Sequence, residues 1–449
     1  MVIIVGVPTL DERAAVRRLL DRFGFGPRPG ELDAAAARGF DATLAALLDP
    51  GAPATDAGAR ATPPPDLGDE PYRPGTATQD QAARQRTQAA LRDQERRLTV
   101  WWLDRMVAAD APLAERLTWF WHGHFATSVQ KVRSVRLMLK QNQTMRRLGG
   151  GDFTSLARAM IADPAMLIWL DGQQNTAGAA NENLAREFME LFTLGIGHYT
   201  ETDVREAARA LTGWRVDRQA MTASPVPRRH DGGTKTVLGV TGNLDANSLV
   251  DLLLNRPESA RFVAGRIWYR LVSADPPPAG TLDRLVAGYG AGRDIRGLLR
   301  AVAAEPAFRE PATALVKQPV EWAVGLMRAL RVRPAELPEQ AGNQLLAGLR
   351  GLGQVPFQPP SVGGWPGGAA WLTTSAGLAR LHLAQLLVQH GDVTAVASAP
   401  PAGRIDAARA LLGVDAFGQR TTEALRRVTG DPRQLLAVAA CAPEYVVSG

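Results

Sequence analysis

The stretch Asn181-Glu-Asn-Leu-Ala-Arg-Glu-Phe-Met-Glu-Leu-Phe192 decides how the rest of the chain is read. At 100° per residue, Asn183, Glu187 and Glu190 fall within about 60° of one another, while Leu184, Ala185, Phe188, Met189, Leu191 and Phe192 occupy the other side. This is an amphipathic helix with an amide and carboxylate face, continuing to about residue 194. The same periodicity fills the sequence on both sides. Gln81 to Ala109 reads as a long helix, polar at first and then aromatic at Trp101 and Trp102. Further helical stretches fall at 112–122, 129–148, 153–162, 203–213, 246–254, 257–272, 281–290, 294–304, 317–330, 341–351, 373–390, 404–411, 421–428 and 432–440.

Little reads as strand. Lys235 to Val240 is the best candidate, because Asp231-Gly232-Gly233 is a turn signal that can open a short hairpin. The run from Gly353 to Gly368 holds too many prolines and glycines for a helix and is expected as an ordered irregular loop. The expected fold class is therefore all-α: a multi-helix, bundle-like globular body with a short β-hairpin near 230–240 and a long Pro/Gly loop near 353–368. Three segments follow. Residues 1–50 form a helical hairpin packed on the body, with Asp11 capping its first helix and Gly24 to Gly30 making the turn. Residues 51–80, with Thr62-Pro-Pro-Pro65, form a proline-rich linker or surface excursion, and 81–449 form the main domain.

Composition narrows the class. Of 449 residues, 45% are apolar and 21% charged, which is the globular range. No run is apolar and long enough to span a membrane, and Met1 to Val7 is too short for a signal peptide, so a cytoplasmic protein is expected. The lone cysteine, Cys441, excludes an internal disulfide or a cysteine-rich metal site. The net charge of +6 is modest, and arginines are spread throughout rather than gathered into a stripe, so no nucleic-acid partner is expected. Only Lys131, Lys140, Lys235 and Lys317 are lysine, which singles them out in an arginine-rich chain.

Four of the six histidines lie between residues 122 and 230. His122 and His124 sit in Trp119-Phe-Trp-His-Gly-His-Phe-Ala-Thr-Ser128. Two residues at i, i+2 do not share a helix face, so Gly123 is expected to break or tighten the helix and let both rings turn inward. Imidazoles in an aromatic wall suit a metal or a general base, since the apolar surround suppresses protonation; the competing reading is a core in which their polar edges bond buried carbonyls. Glu187 and Glu190 repel at i, i+3 and have leucines, not cations, four residues on. Two glutamates on one helix and two histidines on another can make a divalent-metal site, as helical bundles assemble them. The same glutamates can equally line a solvated face.

In Gly195-Ile-Gly-His-Tyr-Thr-Glu-Thr-Asp203, Thr200 or Asp203 can cap the following helix, leaving His198 and Tyr199 to reach a neighbouring pocket. In His230-Asp-Gly-Gly-Thr-Lys-Thr236, an imidazole, a carboxylate and an ammonium share one flexible turn, which is the mixture acid–base work requires; it is also a plain turn with a solvated lysine. Trp365 in the proline-rich loop either lines a site or anchors the loop to the core. The expected sets are thus His122, His124, Glu187 and Glu190 on a divalent metal; His198, His230, Asp231 and Lys235 as catalytic groups; and Asn181, Asn183, Tyr199 and Trp365 against substrate. No serine-hydrolase elbow, phosphate loop, dinucleotide fingerprint or His-Glu-x-x-His helix is present.

These segments, with Asp163-Pro-Ala-Met-Leu167, Lys317-Gln-Pro-Val-Glu321 and the loop to Gly368, occur in the order of a bacterial family known as domain of unknown function 1800, which the chain resembles from about residue 14 to its C-terminus. The resemblance implies a mostly helical body and no particular reaction. Many relatives look exported, and many are encoded beside a phosphatase-like or sulfatase-like protein, which the resemblance implies as a partner. The expected function is a metal-dependent enzyme, hydrolytic first and oxidative second. The alternative is a non-catalytic binding or assembly protein that recognises a carbohydrate or a protein.

Overall fold

The computed structural model describes residues 9–49, 56–72 and 80–448. Helices make up almost all of its regular structure, beside three two-stranded antiparallel sheets. Their starts are written in short-range chemistry. Asp11, Asp80, Asp152, Asp163, Asp245 and Asp431 each turn a carboxylate back onto an amide of the first turn. Proline occupies the first helical position at Pro112, Pro164, Pro257, Pro319 and Pro432, where no amide hydrogen is needed.

Four local readings are corrected. The N-terminal hairpin is three helices, Glu12–Arg22, Glu31–Arg38 and Phe40–Leu48, because Gly39 takes a left-handed φ of 87° and splits the second stretch. The stretch 129–148 divides into Val129–Val132 and Val135–Leu148 at Arg133, whose φ is 50°, and Ser128 and Ser134 each cap the piece that follows. The helix from Asn183 keeps α geometry to Glu187 and then widens into a π-helix over Phe188–Thr193, with the Leu194 amide bonded to the Met189 carbonyl at 2.8 Å. Beside the expected hairpin, found as Lys235–Val237 and Val240–Gly242, stands a second one, Trp214–Asp217 with Thr222–Pro225, which periodicity over four residues could not announce.

Two apolar cores run through the body. One gathers the N-terminal helices with residues between Leu113 and Phe308; the other gathers Leu98–Val107 with residues from Val320 to Val446. The helix Pro112–His124 belongs to both, with Leu117, Phe120 and Trp121 in the first and Trp119 in the second. It therefore carries His122 and His124 into the seam between them. Residues 56–72 lie along the long helix Gln81–Ala108: Trp101 Nε1 donates to the Thr62 carbonyl at 3.0 Å, and Gln94 Nε2 to those of Leu67 and Asp69. The chain's near-terminal strand, Val447–Ser448, pairs with Leu315–Val316. No described helix is long and apolar enough to cross a membrane.

The loop 353–368 is ordered and heavily anchored. Gln354 is fully buried, accepting from the Val320 amide at 2.9 Å and donating to Gln318 at 2.6 Å. Arg270 donates to the carbonyls of Trp365 and Pro366. Gly364, at φ 77°, lies so close to the last turn of Pro112–His124 that a Cβ there would collide with the Gly123 carbonyl oxygen. Gly123 itself stays helical, so it does not break the helix; bare backbone at 123 lets the loop approach, with the Trp365 ring 4.0 Å from where its side chain would begin.

Candidate functional site

His122 and His124 are both buried, and they point to different partners. His122 Nε2 accepts the Phe357 amide hydrogen at 2.9 Å, which leaves that nitrogen unprotonated. Its ring sits 5.3 Å from Trp102 and 5.4 Å from Trp365, centroid to centroid. His124 Nε2 lies 3.0 Å from the Phe192 carbonyl oxygen, which can only accept, so this ring carries its proton there; its buried Nδ1 has no partner. The π-helical turn ending at Thr193 presents that Phe192 carbonyl. Burial holds both imidazoles neutral, pushing each pKa down to about 3, with Arg266 adding to the effect at His124.

Glu187 is half-buried, and burial first, then the neighbouring Glu190, raises its carboxyl above the usual range. Glu190 accepts a 2.7 Å hydrogen bond from the Tyr199 hydroxyl. Among the described residues neither glutamate is paired with an arginine: Arg186, the cation of this helix, is forked by Glu201 at 2.8 and 2.7 Å and also meets Glu182. Among the described residues no three His, Cys, Asp or Glu side chains are grouped as a metal would need. The expected quartet of His122, His124, Glu187 and Glu190 is therefore not assembled. The two rings differ: the Nε2 lone pair of His122 is spent on the Phe357 amide, whereas His124, donating from Nε2 to the Phe192 carbonyl, keeps a lone pair on Nδ1.

The expected catalytic set is divided as well. His198 is exposed on its turn. Lys235 is wholly buried and spends its ammonium on the Asp231 carbonyl, Asn243 Oδ1 at 3.1 Å and the Leu244 carbonyl at 3.0 Å. Asp231 is gripped by Arg209 at 2.7 and 3.2 Å; that pairing, with the Gly233 amide, brings its pKa down to about 2. These two residues brace the 230–235 turn. Asn181 accepts from the Asn183 amide at 3.0 Å and donates its own amide to Asn175 at 2.9 Å, so both asparagines close the start of their helix.

His230 is the exception. Its Nδ1 lies 3.0 Å from the Thr212 carbonyl oxygen and must donate to it, so in the neutral ring Nε2 is left as an acceptor. The turn is brought in by Gly213, at φ 96°, where a Cβ would sit 3.0 Å from the His230 nitrogen. Asn175, fully buried, accepts the Gly213 amide on its carbonyl and donates to the Ala208 carbonyl, tying this corner to the helix Glu201–Ala210. His230 opens on a groove of about 370 Å³ with Trp214, Thr212, Asn243, Asp245 and Asn247. Ile161, Pro225 and Pro227 supply its apolar walls. Asp245 gives one oxygen to Ser248 as a helix cap, and that bonding lowers its pKa. The sequence reading missed the groove residues other than His230.

The other cavity near expected residues is a small chamber of about 10 Å³, partly open, between Trp365, Trp119, Gly123, Arg116, Arg270 and Glu321. Trp365 stacks on Trp119 with centroids 5.2 Å apart, and Arg116 pairs with Glu321. The Lys317 to Glu321 segment singled out in the sequence supplies Gln318 and Glu321 to its wall.

The chain belongs to the family described as protein of unknown function (DUF1800), whose model matches residues 18–447. No curated protein and no solved structure matches it.

Proposed function

We propose that this protein binds carbohydrate in the groove lined by Trp214 and His230. A sugar offers apolar C–H faces and a ring of hydroxyls, and a partly exposed indole beside amide, carboxylate and imidazole groups meets both demands. The observation that carries the reading is the tautomer of His230: with Nδ1 committed to the Thr212 carbonyl, Nε2 is held as an acceptor beside Trp214. Binding is favoured over glycoside cleavage because carboxyl catalysis needs an acid and a second carboxylate about 5–10 Å apart, whereas Asp245 is the single carboxylate among the groove residues. The phosphatase-like or sulfatase-like partner implied by the resemblance would then act on an ester of the sugar held here.

Titration calorimetry of the full chain against a panel of soluble polysaccharides and their oligosaccharides tests this. At least one should bind, and Trp214→Ala and His230→Ala should each weaken it tenfold or more, about 1.4 kcal/mol, with circular dichroism unchanged. No binding across neutral, acidic and esterified glycans, or binding that survives both substitutions, overturns the proposal.

The divalent-metal hydrolase, with oxidative metal chemistry second, is supported by Glu187 and Glu190, which have no cationic partner among the described residues, and by the free Nδ1 of His124; it requires His122 to release the Phe357 amide. Metal analysis of the wild type beside His122→Ala and Glu187→Ala separates the two readings: stoichiometric metal lost in both variants would favour the enzyme.

A further inference from the structure

The chamber beneath Trp365 has an unbalanced wall. Arg116 and Arg270 both line it, and both are at least nine-tenths buried. Glu321 pairs with Arg116 and attracts Arg270 from farther off; Arg270 donates to the carbonyls of Trp365 and Pro366, lies over the Tyr269 ring, and among the described residues has no carboxylate within ion-pairing distance. Two indole N–H groups, those of Trp119 and Trp365, belong to residues 3% and 4% exposed that line the same chamber, and neither has a partner among the described residues. An indole N–H donates and cannot accept, and a guanidinium likewise. Each buried donor left unmade costs about 1–3 kcal/mol, and a buried cation without a carboxylate of its own costs more. The vacant volume, about 10 Å³, is that of a single water-sized sphere.

We propose that this chamber binds one monatomic anion, a halide, with chloride as its ordinary occupant. The anion answers the charge of Arg270 and accepts from the two indoles, which a water of zero charge does only in part. Sulfate and phosphate, each of five atoms, need more room than one water-sized sphere. The ligand ties the loop 353–368, through Trp365, to the helix Pro112–His124 that carries His122 and His124. The site is separate from the groove of the proposed function and stands or falls independently of it.

The test uses the full chain exchanged into sodium gluconate, then titrated with chloride or bromide at constant ionic strength while thermal unfolding is recorded. Chloride and bromide should each raise Tm saturably, by about 2–5 °C at a hundredfold excess over Kd, and sulfate should not. In Trp119→Phe and Trp365→Phe, which keep a ring but remove the N–H, the halide concentration needed should rise at least fivefold. Crystals grown in bromide should show an anomalous peak between Arg270 and the two indoles of the wild type. Identical melting in halide and gluconate, a halide effect that survives both substitutions, or a chamber holding water without anomalous signal would each overturn the proposal.

Discussion

His122 shows how a residue type associated with chemistry can be recruited for architecture. Its Nε2 caps the Phe357 amide at a position where Phe357 itself adopts a left-handed φ of 66°, so the histidine holds a strained corner of the loop in place. Acid should expose this. Both imidazoles have folded pKa values near 3 against about 6.5 unfolded, so the stability they contribute is complete above pH 6.5 and is lost as pH falls toward 3. Asp163 pulls the other way. It is buried, its pKa pushed up to about 6 by that burial despite bonds from Gln141 and the Met166 amide, so the folded state favours its protonated form and stability falls as pH rises from about 4 to 6. At pH 4.5 the two histidines together lose roughly 5 kcal/mol while Asp163 regains at most about 2, so the histidines win and the protein weakens in acid. Denaturant melts across pH should show His122→Gln flattening that acid limb. Asp163→Asn, which retains a capping oxygen, should gain up to about 3 kcal/mol at pH 7 and nothing at pH 4. Equal effects at both pH values would remove titration as the cause.

At the scale of elements, the loop 353–368 and the π-turn Phe188–Thr193 set the histidines that neither carries. The loop depends on one close approach, where Gly364 meets the Gly123 carbonyl. Gly364→Ala should combine a backbone clash with a φ that side-chain-bearing residues rarely adopt and cost at least about 3 kcal/mol in a urea melt, whereas Gly363→Ala, which would meet only the Ser361 hydroxyl at 3.6 Å, should change stability by less than about 1 kcal/mol. The corner at Gly213 is the counterpart for the groove. Gly213→Ala should push His230 from Thr212 and weaken ligand binding more than it lowers Tm. The helix positions themselves were readable from capping aspartates and N-terminal prolines, because those signals act within one turn. Arg133, a non-glycine residue at positive φ, and the π geometry after Glu187 carry no such local mark.

Across the whole molecule the termini are joined to the middle. Arg22 donates to the carbonyls of Val272, Thr313 and Ser448, and Lys317, also buried, meets Asp21 at 3.0 Å. These contacts span most of the chain length, so a cooperative unit is expected. Truncation after Val446 removes the strand paired with Leu315–Val316 and two acceptors of Arg22, the carbonyl and hydroxyl of Ser448; calorimetry should show a single transition shifted down by several degrees. A second, separately melting transition would mean that the two cores unfold independently.

Taken alone, the amino-acid order determined the all-α class, most helix boundaries, a hairpin near 230–240, the irregular loop and the family, since periodicity, capping and motif order are properties of neighbours in the chain. Only the tertiary structure decided what the marked side chains do. Lys235 and Asp231 became braces, His122 and His124 became core hydrogen-bond partners, and His230 was set on a groove with Trp214 and Asn243. The reason is physical: a side chain's chemistry depends on which nitrogen is already bonded and how much water remains, and both are fixed by groups distant in sequence.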